Sequence, residues 1–149
     1  TLFIKGWIMK IVRSRKGIIY TLYSLLNPIP FGMFVGALIF DITYKNTGEI
    51  LWANAASWLV VLGLIIAIIP RLINLFYVWF RPIQNIRKIE ITGFFLYGFA
   101  IVSGIFNAFI HSRDAYGIVP ANVIFSFITV FLISIYYIYE STARNDLED

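Results

Sequence analysis

Residues 50–70 read ILWANAASWLVVLGLIIAIIP, twenty-one consecutive positions without a charge. Crossing the hydrocarbon core of a bilayer takes about 20 apolar residues in a helix. Three further uncharged runs lie around this one, at 17–40, 91–110 and 115–139. Each is long enough to span, and together the four take up most of the 149 residues. The reading is an all-α integral membrane protein, a bundle of four transmembrane helices in one domain.

Composition agrees and removes other classes. The chain is 60% hydrophobic and 13% charged, with mean hydropathy +0.81, where a soluble domain carries about 25% charged residues. With no cysteine, disulfides, iron–sulfur clusters and a thiolate nucleophile are out of reach. The single histidine, His111, rules out a metal site or bis-histidine haem within one chain unless carboxylates or a second copy complete it. Neither a phosphate loop nor a dinucleotide fingerprint is present. The net charge of +4 fits the basic residues that set membrane topology, and no nucleic-acid partner is expected.

Working outward, residues 2–12 space Phe3, Ile4, Trp7, Ile8, Ile11 and Val12 by threes and fours, as in an amphipathic helix lying in the interface. The basic cluster from Lys5 to Lys16 is followed by an apolar stretch with no small-x-small cleavage site, so it reads as retained sequence. A start at Thr1 without methionine leads us to expect a few residues upstream. The run 17–41 exceeds one straight crossing, and Pro28 and Pro30 divide it. We therefore expect an interfacial segment at 2–26, with 18–26 a short lead-in, and a first span over about 28–44. The turn Lys45-Asn46-Thr47-Gly48 follows.

The second span covers about 51–80, kinked at Pro70 and flanked by Trp52 and by Tyr77, Trp79 and Phe80 as aromatic belts. A basic loop around Arg81, Arg87 and Lys88 leads to a third span at about 91–110, and a fourth follows at about 119–139. Residues 140–149 form an acidic tail, expected to be disordered. Nine of the twelve lysines and arginines fall on the side of the termini, two (Lys45 and Arg113) on the other, and Arg71 within a span. That bias puts both termini in the cytoplasm and the protein in a bacterial inner membrane.

Ionisable groups at membrane depth are functional candidates by default. Asp41 ends the first span, while Ser103, Asn107 and His111 follow at four-residue intervals along the third. With Asn54, Ser57, Arg113 and Asp114 they belong to one half of the bundle and are expected to converge in a polar pocket. Asp41 is expected to pair with His111 or Arg113, or else to sit at headgroup level. His111, Asn107 and Asp41 are the candidate cofactor-binding residues, for haem or quinone. No catalytic or metal set is expected. Arg71 and Asn74, one turn apart near the level of Asn27, read as structural polar residues, as do Arg113 and Asp114. Gly32-x-x-x-Gly36 reads as a close helix contact.

The stretch Asn27-Pro28-Ile29-Pro30-Phe31-Gly32, running on through Gly36-Ala37-Leu38 to Asp41, resembles the opening of the DUF2231 family of small bacterial membrane proteins. The likeness continues through Trp52-Ala-x-Ala-Ala-x-Trp58 and Arg71-Leu-Ile-Asn74 to Asn107-Ala-Phe-Ile-His111-Ser-Arg-Asp-Ala-Tyr116, covering roughly residues 24–139. Asn27 stands where many members carry histidine, which weakens transfer of any haem or metal role tied to that position. The resemblance implies four transmembrane helices, no established catalytic activity, and association with periplasmic sugar dehydrogenases of the pyrroloquinoline quinone type.

Three functions follow as expectations. The first is a non-enzymatic anchor, docking or accessory subunit of a membrane or periplasmic complex, respiratory or dehydrogenase-linked. The second is a haem- or quinone-binding electron-transfer subunit using His111. The third is a small transporter, less favoured without an inverted repeat or a charged pathway. The lipid bilayer, a protein partner and a second copy of the chain are the expected partners.

Overall fold

The computed structural model describes the backbone of residues 2–80, 84–113 and 115–149, with their side chains except those of 8–16, 20, 77–80, 84–87, 115 and 116. Five α-helices follow in order: α1 Leu2–Leu26, α2 Ile29–Thr47, α3 Ile50–Phe80, α4 Gln84–His111 and α5 Ala121–Glu148, with a 3-10 turn at Ala115–Ile118 before α5. Helices α2 to α5 run up and down as a bundle in which α2 packs on α3 and α5, and α4 packs on the same two. Four segments of the chain are long and apolar enough to cross a membrane, Gly17–Thr47, Ile50–Phe76, Lys88–His111 and Ala121–Glu148, the first taking in the expected lead-in as well as the expected first span.

Local chemistry places the breaks. Pro28 caps the start of α2 and Pro30 lies in its first turn, where a missing N–H costs nothing. At the other end Gly48 takes φ 70° and donates its N–H to the Tyr44 carbonyl at 2.8 Å, a left-handed cap that favours glycine. We call the two ends of the bundle the Asn27 end and the Gly48 end.

Bulk apolar side chains point outward. Trp58, Phe99 and Phe109 are more than 60% exposed, while Asp41, Asn122 and Asn107 are sealed at 0–1%. Such a distribution suits hydrocarbon surroundings, where interior contact is made by small residues and hydrogen bonds. Ala37, Ala56, Val60, Ala67 and Ala100 line the buried helix faces. Gly63 of α3 has the Phe34 ring 3.1 Å from where its Cβ would stand, and Gly104 of α4 has Leu64 at 2.9 Å. A methyl group at either position would displace the packing around Phe34.

Several expectations need correction. Residues Leu2–Leu26 form one continuous helix, in place of the expected helix at 2–12 and separate lead-in at 18–26; with no proline before Pro28 nothing interrupts it. The helix of the third span, α4, begins at Gln84, ahead of the expected start near 91, and that of the fourth, α5, runs on to Glu148. The acidic tail is therefore helical, with Arg144 donating to Glu140 at 2.9 Å across one turn. Gly32 does not serve a helix contact: a Cβ there would meet nothing within 4 Å, whereas one on Gly36 would stand 3.1 Å from Leu59. As expected of the second span, Pro70 lies inside α3. The side chains of the aromatic belt at Tyr77, Trp79 and Phe80 are outside the described part, as are Arg81 and Asp114; Arg87 of the expected basic loop falls within α4.

Candidate functional site

Helix α2 delivers Asp41 to the interior because Phe34, Ala37, Asp41 and Tyr44 recur at helical spacing on its buried face. Helix α5 offers Asn122, Ser126 and Thr129 from the matching face, and α4 offers Ser103, Asn107 and His111. These faces meet near the Gly48 end, with Asp41 at the centre.

The Asp41 carboxylate accepts three hydrogen bonds. His111 Nε2 donates to Oδ1 at 2.7 Å, Asn122 Nδ2 donates to the same oxygen at 2.9 Å, and the Ser126 hydroxyl donates to Oδ2 at 2.6 Å. The serine oxygen in turn accepts from Asn107 Nδ2 at 2.7 Å. On its other side His111 donates from Nδ1 to the Asn107 carbonyl at 2.8 Å. A backbone carbonyl can only accept, so Nδ1 must carry a hydrogen. The histidine–aspartate pair then holds one further proton, between Nε2 and Oδ1. That shared proton joins the pair, and asparagine and serine complete the hydrogen bonding of the carboxyl group.

One turn deeper, the Ser103 and Thr129 hydroxyls lie 3.1 Å apart and both reach the Phe125 carbonyl, at 3.4 and 2.8 Å. Two buried amide oxygens, Asn107 Oδ1 and Asn122 Oδ1, have no protein partner.

A second polar cluster occupies the Asn27 end. Arg71 is 6% exposed. Its guanidinium carbon lies 4.0 Å from the Tyr97 ring centre and 5.2 Å from that of Tyr136. It donates to the Asn27 side-chain oxygen and to the Tyr136 hydroxyl, the latter at 3.3 Å. Tyr137 closes the cluster by donating to the Asn27 carbonyl at 2.9 Å. Between the two clusters lies an apolar layer of Phe34, Ala100 and Ile133.

The expected polar pocket is thus partly assembled. Asp41, Ser103, Asn107 and His111 come together, and Arg71 does reach Asn27. Of the two candidate partners for Asp41, the structure selects His111; Arg113 is exposed. Asn54 is exposed and Ser57 half-buried, and neither joins the network; Asn74 is half-buried and not hydrogen-bonded to Arg71. The sequence reading missed Asn122, Ser126 and Thr129. Their signal is the spacing 122, 126, 129, 133, 136, a polar-to-aromatic stripe along one face of an otherwise apolar run.

A family model described as "Predicted membrane protein (DUF2231)" matches residues 20–138. No curated protein and no solved structure matches the chain.

Proposed function

The chain belongs to the DUF2231 family of predicted membrane proteins, and from that premise we propose that it is a non-catalytic accessory subunit of the bacterial inner membrane. One observation carries the reading: both ring nitrogens of His111 are committed, Nδ1 to Asn107 and Nε2 to Asp41. The groups best suited to chemistry are consumed in tying α2, α4 and α5 together. Axial ligation of haem iron by His111 would have to break one of those bonds, and it would expose a buried carboxylate or carbonyl in doing so.

Because His111 is the last residue of α4, the network also fixes where the connection to α5 begins. With the Lys45–Glu49 turn, that connection forms the face at the Gly48 end. In this reading the termini are cytoplasmic, the Gly48 end faces the periplasm, and the partner is a membrane or periplasmic protein such as a dehydrogenase. A single cysteine at Arg113 tests it, since the chain has no other. In native membranes a crosslinker on that cysteine should join the chain to one defined partner, and Asp41→Asn should abolish the product. Crosslinks only to a second copy, or a Soret band in the purified protein, would replace this reading with a homodimer or a haem subunit.

A further inference from the structure

Two grooves lie on the flank of α5 and meet at Tyr137. One, of about 430 Å³, is bordered by Pro28, Phe31, Ser134, Tyr137 and Ile138. The other, also about 430 Å³, is bordered by Tyr23, Ser24, Asn27, Glu140, Ser141 and Arg144, with Tyr137 again on its wall. The Tyr137 ring meets Phe31 edge-on at 5.9 Å, and its hydroxyl is fixed to the Asn27 carbonyl at 2.9 Å. A rigid side chain therefore marks the border of an apolar slot and a polar one.

The order along α5 gives the pair a direction. From Ser134 to Arg144 the helix climbs about 15 Å at 1.5 Å per residue. The uncharged run ends at Tyr139, and Glu140 is the first charge after it. The apolar groove thus sits at hydrocarbon depth and the polar groove where headgroups begin.

The charges lining the polar groove are Glu140 and Arg144, and Glu90 of α4 stands near enough to act on both. Arg144 Nη2 donates to Glu140 Oε1 at 2.9 Å, a single-point contact between two partly exposed side chains. A carboxylate accepts up to about four hydrogen bonds and a guanidinium donates five, so both have capacity beyond this one contact. Behind Asn27 stands the Arg71 guanidinium, which has no carboxylate within salt-bridge distance among the described residues.

We propose that the two grooves together bind one membrane phospholipid whose headgroup is zwitterionic with a primary ammonium. An acyl chain follows Phe31 and Ile138. The phosphate meets Arg144 and the hydroxyls of Tyr23 and Ser24, on the side of the bundle that Arg71 makes positive. The ammonium donates to Glu140. A purely anionic headgroup would leave Glu140 against like charge. A quaternary ammonium has no N–H to give it. Free phosphate would leave the apolar groove unfilled. The site rests on the membrane setting of the chain and not on its role as an accessory subunit.

Native mass spectrometry of the full chain tests this. The protein is released from a mild detergent containing phosphatidylethanolamine, phosphatidylglycerol and phosphatidylcholine in equal amounts with identical acyl chains. One phosphatidylethanolamine should be retained, with a preference of about fivefold over each competitor, the value of one partly exposed charged contact. Glu140→Gln should erase the preference over phosphatidylcholine, and Arg144→Gln should weaken retention of all three lipids. Asp146→Asn, on the same helix beyond the groove, should leave the preference as it is. Both groove variants lie on the outer surface, and unchanged helical circular dichroism excludes misfolding as the cause of any loss. Equal retention of the three lipids, preferential retention of phosphatidylglycerol or of a quinone, or a preference untouched by Glu140→Gln would overturn the proposal.

Discussion

His111 Nε2 stands 2.7 Å from Asp41 Oδ1 although the two residues are seventy positions apart in the chain. No loop or local turn brings them together; only the packing of α2 and of α4 on their shared neighbours α3 and α5 does. The contact is therefore a reporter of the assembled bundle.

Removing one member of a buried, hydrogen-bonded charge pair leaves the other uncompensated, at a cost on the order of 3–5 kcal/mol. Asp41→Asn should lower the thermal midpoint in detergent accordingly. His111→Gln should cost a similar amount, and the double variant much less than the two together. Additive losses would mean that each residue is satisfied by its own backbone surroundings.

Ser126 both donates to Asp41 and accepts from Asn107, so Ser126→Ala breaks two bonds at once. Hydrogen bonds between helices in bilayers average about 0.6 kcal/mol and reach about 1.7. A loss of about 1–3 kcal/mol is expected for Ser126→Ala, the range for buried groups left without a partner. Ser134→Ala should be near neutral, since that hydroxyl reaches only the Val130 carbonyl on its own helix. Urea or thermal melts of the two variants in the same detergent check the contrast.

The two glycines of the first span should separate. Gly36→Leu drives a side chain into Leu59, 3.1 Å from the added Cβ, whereas Gly32→Leu points into open space. The first should reduce folded yield and stability by about 1–3 kcal/mol, the usual cost of overpacking, and the second should be tolerated. Size-exclusion profiles after mild heating distinguish them.

Arg71→Lys keeps the charge but not the plane. A lysine cannot lie flat on Tyr97 while reaching both Asn27 and Tyr136. Cation–π contact in a desolvated site is worth about 2 kcal/mol, so a loss of about 1–2 kcal/mol is expected, measured as a shift in thermal midpoint. Retained stability would assign Arg71 a purely electrostatic role.

Topology follows the basic residues, nine to two. A reporter fused after Asp149 should be active only in its cytoplasmic form, and one inserted between Asn46 and Thr47 only in its periplasmic form. The opposite result would invert the face proposed for the partner.

How far the sequence could be read depended on the kind of force involved. The four spans follow from the cost of exposing charge to hydrocarbon, which is local and visible in any window of twenty residues. The Asp41–His111 pairing was legible as one of three options, beside Arg113 and a carboxylate at headgroup level, because Arg113 is just as near along the chain and only packing shows that it faces out. Asn122, Ser126 and Thr129 were hidden because no ionisable residue marks their stripe, as His111 marks that of Ser103 and Asn107. Gly32 and Gly36 share a motif, but α3 lies only against the second. The tail was misread because its charges suggest solvation, while Glu140 and Arg144 one turn apart support the same helix.

The layer of Phe34, Ala100 and Ile133 sets the electrical character of the bundle. Five residues of α4 lie between Tyr97 and Ser103, a rise of about 9 Å. At that depth the buried side chains are apolar, and the Ser134 hydroxyl of α5 is turned to the Val130 carbonyl of its own helix. A charge carried through a membrane exchanges about 2.3 kcal/mol with each 100 mV of potential, so a continuous polar seam would leak. That layer keeps the Asp41–His111 pair near one end of the bundle and the Arg71 guanidinium near the other, with apolar side chains between them.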